Sequence, residues 1–142
     1  MLTRFLRLTP VDRRLIVETV VLSLATWLCF RFRRDRALSI LRVSTRPATL
    51  RAPSAAAKVP WAIDAVGRRL ALTRNCLLQA VVAQALLQRH GCTSRLVVGV
   101  KRGVNGGLIA HAWVEDPAGH RVVGGSVAAR YTPLANAHEY TS

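Results

Sequence analysis

The sequence predicts an α+β fold: N-terminal helices and a central cysteine-bearing helix, packed on a small antiparallel sheet. Two observations carry this. Up to Gly91 the apolar residues recur at helical spacing, and after it the period changes to two. The chain has 142 residues, of which 51% are apolar, enough to bury a core in one domain spanning 1–142. Its three cysteines, Cys29, Cys76 and Cys92, form no CxxC pair and are odd in number. That argues against a disulfide framework and a four-ligand zinc site, and suits a reducing cytoplasm.

In chain order, "LTPVDRRL" opens the first helix. Thr9 can cap it, Pro10 fits its first position, and Asp12 lies near the positive end of the dipole. It is expected to run to Phe32, where Arg31, Arg33, Arg34 and Arg36 suit the negative end. A short second helix over "RALSILRV" completes an N-terminal helical part, 1–43. Residues 44–60 hold three prolines and little periodicity, and read as a loop. The part 61–142 is expected to hold the catalytic helix and sheet. It starts with "WAIDAVGRRLAL" (61–72), whose Trp61, Ala65 and Leu72 fall near one helical stripe. Asn75 can cap the strongest helix, with Cys76 at its first position. Leu77, Leu78, Val81, Val82, Ala85 and Leu86 form its broad apolar face, and Gly91 ends it as a left-handed cap. Strands follow at 95–100, 108–115 and 120–125, joined by turns at "VNGG" and "DPAG".

Formal net charge is +14, with 12 Lys and Arg against 3 Asp and Glu in residues 1–58. Such a field favours acidic partners: nucleic acid, anionic lipid or an acidic peptide. Only 6% of residues are aromatic, so no base-stacking platform is evident and no nucleic acid is expected as partner. The apolar run 15–30 contains Glu18 and is short for a spanning helix, which wants roughly 20 apolar residues. It reads as a buried or interfacial helix, with membrane crossing as the lesser alternative. "RFRRDR" follows it instead of a small-residue cleavage site. A cytoplasmic protein is expected, with peripheral membrane contact allowed.

Chemistry is suggested by Cys76 and His111. The positive end of a helix dipole favours the thiolate, and an imidazole nearby would do so further. The first turn also offers a free backbone N–H to a developing oxyanion. On this reading His111, on a strand packed against that helix, activates the thiol and later protonates the leaving amine. The plainer reading is a small buried hydrophobe and an ordinary strand histidine. Cys29 lies inside an apolar helix, Cys92 follows the wrong end of the central helix, and His90 sits where its charge suits the dipole. His120 and His138 read as exposed. A metal site on Cys76, Cys92 and His111 lacks local ligand spacing, so no metal or cofactor is expected.

"NCLLQAVVAQALLQRHGCTSRLVVGVKRG" followed by "AHAWVE" resembles the transglutaminase-like cysteine peptidases of lasso-peptide biosynthesis. In that family a "CL..A" helix, an "LL..G" helix end, an "L.[IV]GV" strand and an "AHAWVE" strand occur in this order. The opening "RFLRLTPVDRRLIVETVVLSLA" is similar to the family's N-terminal helix. The resemblance implies a papain/transglutaminase-like fold and a cysteine endopeptidase that removes the leader of a ribosomally made precursor. Cys76 matches the nucleophile and His111 the base. It further implies the split form, because the chain is short for an added leader-recognition domain. The partners would then be the precursor's leader, a separate leader-recognition protein and an ATP-dependent lasso cyclase. No Gly-rich phosphate loop occurs here, so ATP chemistry would belong to that cyclase. Other readings are a transglutaminase-like amidase or acyl transferase, and a non-catalytic basic adaptor for membrane or nucleic acid.

The third catalytic group is where the sequence departs from that pattern. The family usually has an acid on the next strand, orienting the histidine. A turn centred on Pro117-Ala118 sets Gly124 opposite His111, and a one-residue shift sets Gly125 there. Glu115 shares the strand face of His111 but lies ~13 Å away. A Cys–His dyad is one solution, its ring held by a backbone carbonyl, water or Ser126. A distant acid such as Asp64 is another. An aspartate at position 124 would supply the carboxylate, unless Gly124 is needed for its backbone angle. Trp113, on the same face, is expected to pack beside the site, with substrate contact as the alternative.

Overall fold

The computed structural model describes residues 8–32, 53–71 and 75–134. The expected helix over 36–43 lies outside them. Five helices and four strands are described: α1 (Pro10–Phe32), α2 (Pro53–Ala56), α3 (Val59–Gly67), α4 (Cys76–Arg89), β1 (Arg95–Arg102), β2 (Leu108–Glu115), β3 (Arg121–Val123), α5 (Gly125–Ala128) and β4 (Thr132–Pro133). The mixture of helix and antiparallel sheet is the expected α+β class.

Local signals set most boundaries. The Thr9 hydroxyl accepts the Asp12 N–H and caps α1. The Asn75 side chain accepts the Leu77 N–H at 2.9 Å and starts α4. At the other end of α4, Gly91 has φ 80°. There the N–H groups of Gly91 and Cys92 bond back to the carbonyls of Gln88 and Leu87, a Schellman closure. Two expectations need correction. The stretch 44–60 is not all loop, since α2 and the start of α3 fall inside it. Pro60 lies in the first turn of α3, where a missing N–H costs nothing. That helix buries Val59, Ala62, Ile63, Ala65 and Val66, and leaves Trp61 exposed rather than on the packed stripe.

The sheet order is β3-β2-β1-β4, all antiparallel. Helix α4 is buried nearly all round. Leu78, Val82 and Leu86 meet Leu15 of α1, Ala62 and Ile63 of α3, and Ala112 and Val114 of β2. Burying one such leucine contributes about 1.5–3 kcal/mol, so this layer fixes where α4 begins. Lys58 Nζ donates to Asp12 at 2.6 Å and pins the start of α1 beside α3. That bond, with the one from Thr9, holds the Asp12 carboxyl below its usual range.

The opposite face of the sheet carries a smaller cluster of Val97, Trp113 and Ala128, with Tyr131 against it. Trp113 is 1% exposed. Its ring occupies the space where β1 has no side chain, because a Cβ on Gly99 would stand 2.7 Å from the indole. Gly99→Ala is therefore expected to cost about 1–3 kcal/mol by overpacking. Urea unfolding would show this as a lower midpoint with an unchanged slope, whereas an unchanged midpoint would mean that the indole is free to move.

Candidate active site

Cys76 occupies the first position of α4, half-buried, with its sulfur side against the main core. The Leu77 amide is taken by Asn75, and the Gln79 amide bonds the Asn75 carbonyl. The amides of Cys76 and Leu78 make no hydrogen bond among the described residues. The helix start thus keeps donors beside the thiol, as an oxyanion requires. All three cysteines are free thiols. Cys92 lies beyond the far end of α4, roughly 20 Å along the helix from Cys76, so the two do not share a site.

His111 lies mid-strand in β2, half-buried, where that strand leaves the core. Its Nε2 is 2.8 Å from the Gly124 carbonyl oxygen. A carbonyl only accepts, so Nε2 carries the proton and Nδ1 presents its lone pair. The ring is flanked by Tyr131 at 5.1 Å and Trp113 at 6.1 Å between centroids. Tyr131 has no sequence signal that could have placed it here. Alternation puts His111 on the face of Trp113, across the sheet from Ala112 and Val114, which pack on α4. Strand β2 thus packs on α4, while the imidazole lies on its other face. Among the described residues, no hydrogen bond joins Cys76 to His111.

How Gly124 reaches the ring differs from simple strand pairing. The Asp116 side chain and Gly119, at φ 83°, close a three-residue turn around Pro117-Ala118. The bond from the His120 N–H leads the effects holding the Asp116 carboxyl below its usual range. Pairing begins at Glu115↔Arg121, then shifts by a bulge to Val114↔Val123. Extended, that register would bring Ser126 across from His111. Instead the chain turns at Gly124, with φ 74° and ψ 10°, and enters α5. Its carbonyl thereby folds back to the imidazole. A Cβ on Gly124 would stand 3.0 Å from the Ala112 carbonyl oxygen and 3.2 Å from Trp113 Cβ. Glycine is thus required there by both angle and space.

The two carboxylates considered as orienting groups are engaged elsewhere. Glu115 accepts from Trp113 Nε1 and from Arg95, each at 2.7 Å. Burial pushes its carboxyl up, but these bonds and the charges of Arg95 and Arg121 outweigh that and hold it low. Asp64 pairs with Arg68 at 2.7 Å. Asp64, Arg68, Gln79, Gly124 and Ser126 line a cleft of about 670 Å³ between α3, α4 and the β3–α5 turn. Gly124 therefore touches both the cleft and the imidazole. Trp113 is too buried to meet a substrate, so its place beside His111 is one of packing.

A family profile described as the transglutaminase-like superfamily matches residues 19–136. The chain belongs to the transglutaminase-like superfamily. Members are typically cysteine-dependent hydrolases and acyltransferases. No curated protein and no solved structure matches the chain. Within this transglutaminase-like domain the matched span covers α3 to β4 and most of α1, hence every residue of the candidate site.

Two outcomes are expected from the geometry. Gly124→Asp should destabilise by about 1–3 kcal/mol, since a non-glycine residue in the left-handed region is strained. It should lower activity as well, by moving the carbonyl that holds His111. A thermal melt beside a rate assay checks both, and a gain in rate would reverse the assignment. For Glu115 the folded carboxyl is held below its unfolded value, so its stabilisation is present at neutral pH and is lost as pH falls through the folded value. Glu115→Gln should flatten that acid limb in urea titrations at several pH values. Its effect on rate should stay within about threefold, because a packing support is altered and no reacting group is.

Proposed function

We propose that the chain is a cysteine endopeptidase that removes the leader peptide from a lasso-peptide precursor, working with a separate leader-binding protein and an ATP-dependent cyclase. Superfamily membership supports thiol chemistry. The likeness of "NCLLQA" and "AHAWVE" to the lasso leader peptidases supports the narrower reading. The observation that carries the mechanism is the bond from His111 Nε2 to the Gly124 carbonyl. It selects the tautomer whose Nδ1 can take a proton, without any carboxylate.

In this mechanism Nδ1 accepts the Cys76 proton as Sγ attacks the scissile carbonyl carbon. The oxyanion is received by free N–H groups at the start of α4. Collapse breaks the C–N bond, and the imidazolium gives its proton to the departing amine. Water, deprotonated by Nδ1, then attacks the thioester, and Sγ leaves and recovers the proton. Catalytic hydrogen bonds often tighten only when substrate binds, and the step requires Sγ to come within reach of Nδ1. In this structure α4 and the imidazole pack on opposite faces of β2, so Sγ and Nδ1 have to meet around the end of β3, beyond Val123. The adjoining cleft would hold the extended peptide.

Cys76→Ala and His111→Ala are each expected to abolish leader removal, scored by mass spectrometry on the precursor, with circular dichroism unchanged. Cys29→Ala and Cys92→Ala should retain activity. Full cleavage by the Cys76→Ala protein would sink the mechanism. Hydroxylamine trapping of a thioester without peptide cleavage would favour the amidase or acyl-transferase reading.

The isolated chain should cleave slowly, and the leader-binding protein should accelerate it strongly by raising local substrate concentration, to the order of millimolar for a short tether. Initial rates with and without that protein, at low and high ionic strength, test this. If arginines carry the docking, salt will reduce the gain. Equal rates with and without the protein would point to a self-sufficient peptidase.

A further inference from the structure

Helix α1 carries apolar side chains on both sides: Leu15, Ile16, Leu22, Trp27 and Phe30 pack on the core, and others face outward. Its inner side buries Thr19 at 0% and Ser23 at 2% exposure, together with Leu15 and Thr26. Its outer side shows Val17, Val21, Leu24, Leu28 and Phe32, spaced to form one stripe, with Val21 58% and Phe32 71% exposed. The helix has 23 residues and a length of ~34 Å. By length and composition it could cross a membrane. Its inner side, however, is packed on α3 and α4, so the stripe lies along the surface of the domain.

Charge identifies what the stripe fits. Arg14 stands exposed near one end and Arg31 near the other. The two acids of α1 are turned away: Asp12 bonds Lys58, and Glu18 bonds Arg14 and lies 3.5 Å from His90. The sequence on either side adds Arg4, Arg7, Arg33, Arg34 and Arg36, with Asp35 the one acid among them. A second copy of the chain would bring another +14 against the same surface and be repelled. An exposed apolar stripe on a chain of net charge +14 suits a layer with acyl chains inside and negative charge outside.

We propose that the outer face of α1 is a peripheral docking surface for an anionic lipid bilayer, with Val17, Val21, Leu24, Leu28 and Phe32 entering the headgroup boundary. This holds whether or not the chain is a leader peptidase. The test is co-sedimentation of the full chain with vesicles of equal parts phosphatidylglycerol and phosphatidylcholine, beside vesicles of phosphatidylcholine alone. Binding is expected only to the anionic vesicles, weakening with salt and released by carbonate. The double variant Val21→Gln, Leu28→Gln should bind about tenfold or more weakly, with an unchanged circular dichroism spectrum and unchanged thiol-dependent activity in solution. Arg14→Gln should weaken binding at low salt only. Failure of the parent chain to pellet with anionic vesicles at low salt would overturn the proposal. So would equal binding by the double variant, resistance to carbonate, or a dimer in sedimentation equilibrium that the double variant abolishes.

Discussion

The seating of Trp113 in the gap above Gly99 is the constraint on which the site depends. With that ring in place, its N–H reaches Glu115 and its face stacks beside His111. Its Cβ also lies under the turn at Gly124. An unpaired indole N–H or a shifted ring would disturb all three at once, since buried polar groups and packed aromatics tolerate little misfit. The opposite face of the sheet does a different job. There α4 is clamped between β2 and the two other long helices, which sets the height at which Cys76 emerges. Thiol and imidazole are thus positioned by two separate packing layers that share one strand.

A histidine held by a carbonyl differs from one held by a carboxylate. Both fix the ring and the tautomer, but a neutral acceptor gives less stabilisation to the imidazolium that forms during transfer. The donors at the start of α4 and the exclusion of water by bound peptide then have to supply more of the transition-state stabilisation.

What could be read from the sequence was what is decided within a few residues. Thr9, Pro10, Asn75 and Gly91 marked helix ends because capping is local, and β2 was found over 108–115 because its alternation is unbroken. The start of α3 was missed because Pro60 looks like a loop residue until the preceding turn is known to be helical. Which layer covers the imidazole had to come from the structure: periodicity tells which residues share a face, yet not which of two layers covers it. A backbone carbonyl was one of several possible holders of the ring, and the sequence did not single out that of Gly124, since a bulge and a left-handed residue are invisible to a simple register count. Tyr131 came into the site through a short helix and a two-residue strand that have no pattern of their own.

The left-handed turn at Gly124 also limits how this candidate site could change. Where a strand simply continues, one substitution can place a carboxylate opposite a histidine. Here the chain has already left the sheet, and a side chain at that position would be strained by the left-handed backbone and crowded to 3.0 Å from the Ala112 carbonyl oxygen. A variant seeking a charged third member would have to re-route the connection between β3 and α5 first, losing the existing hold on the ring before gaining the new one. Single-step mutational paths between the two kinds of site therefore pass through a form with a loosely held imidazole, and directed evolution would need insertions or paired changes in 121–126 to cross that valley.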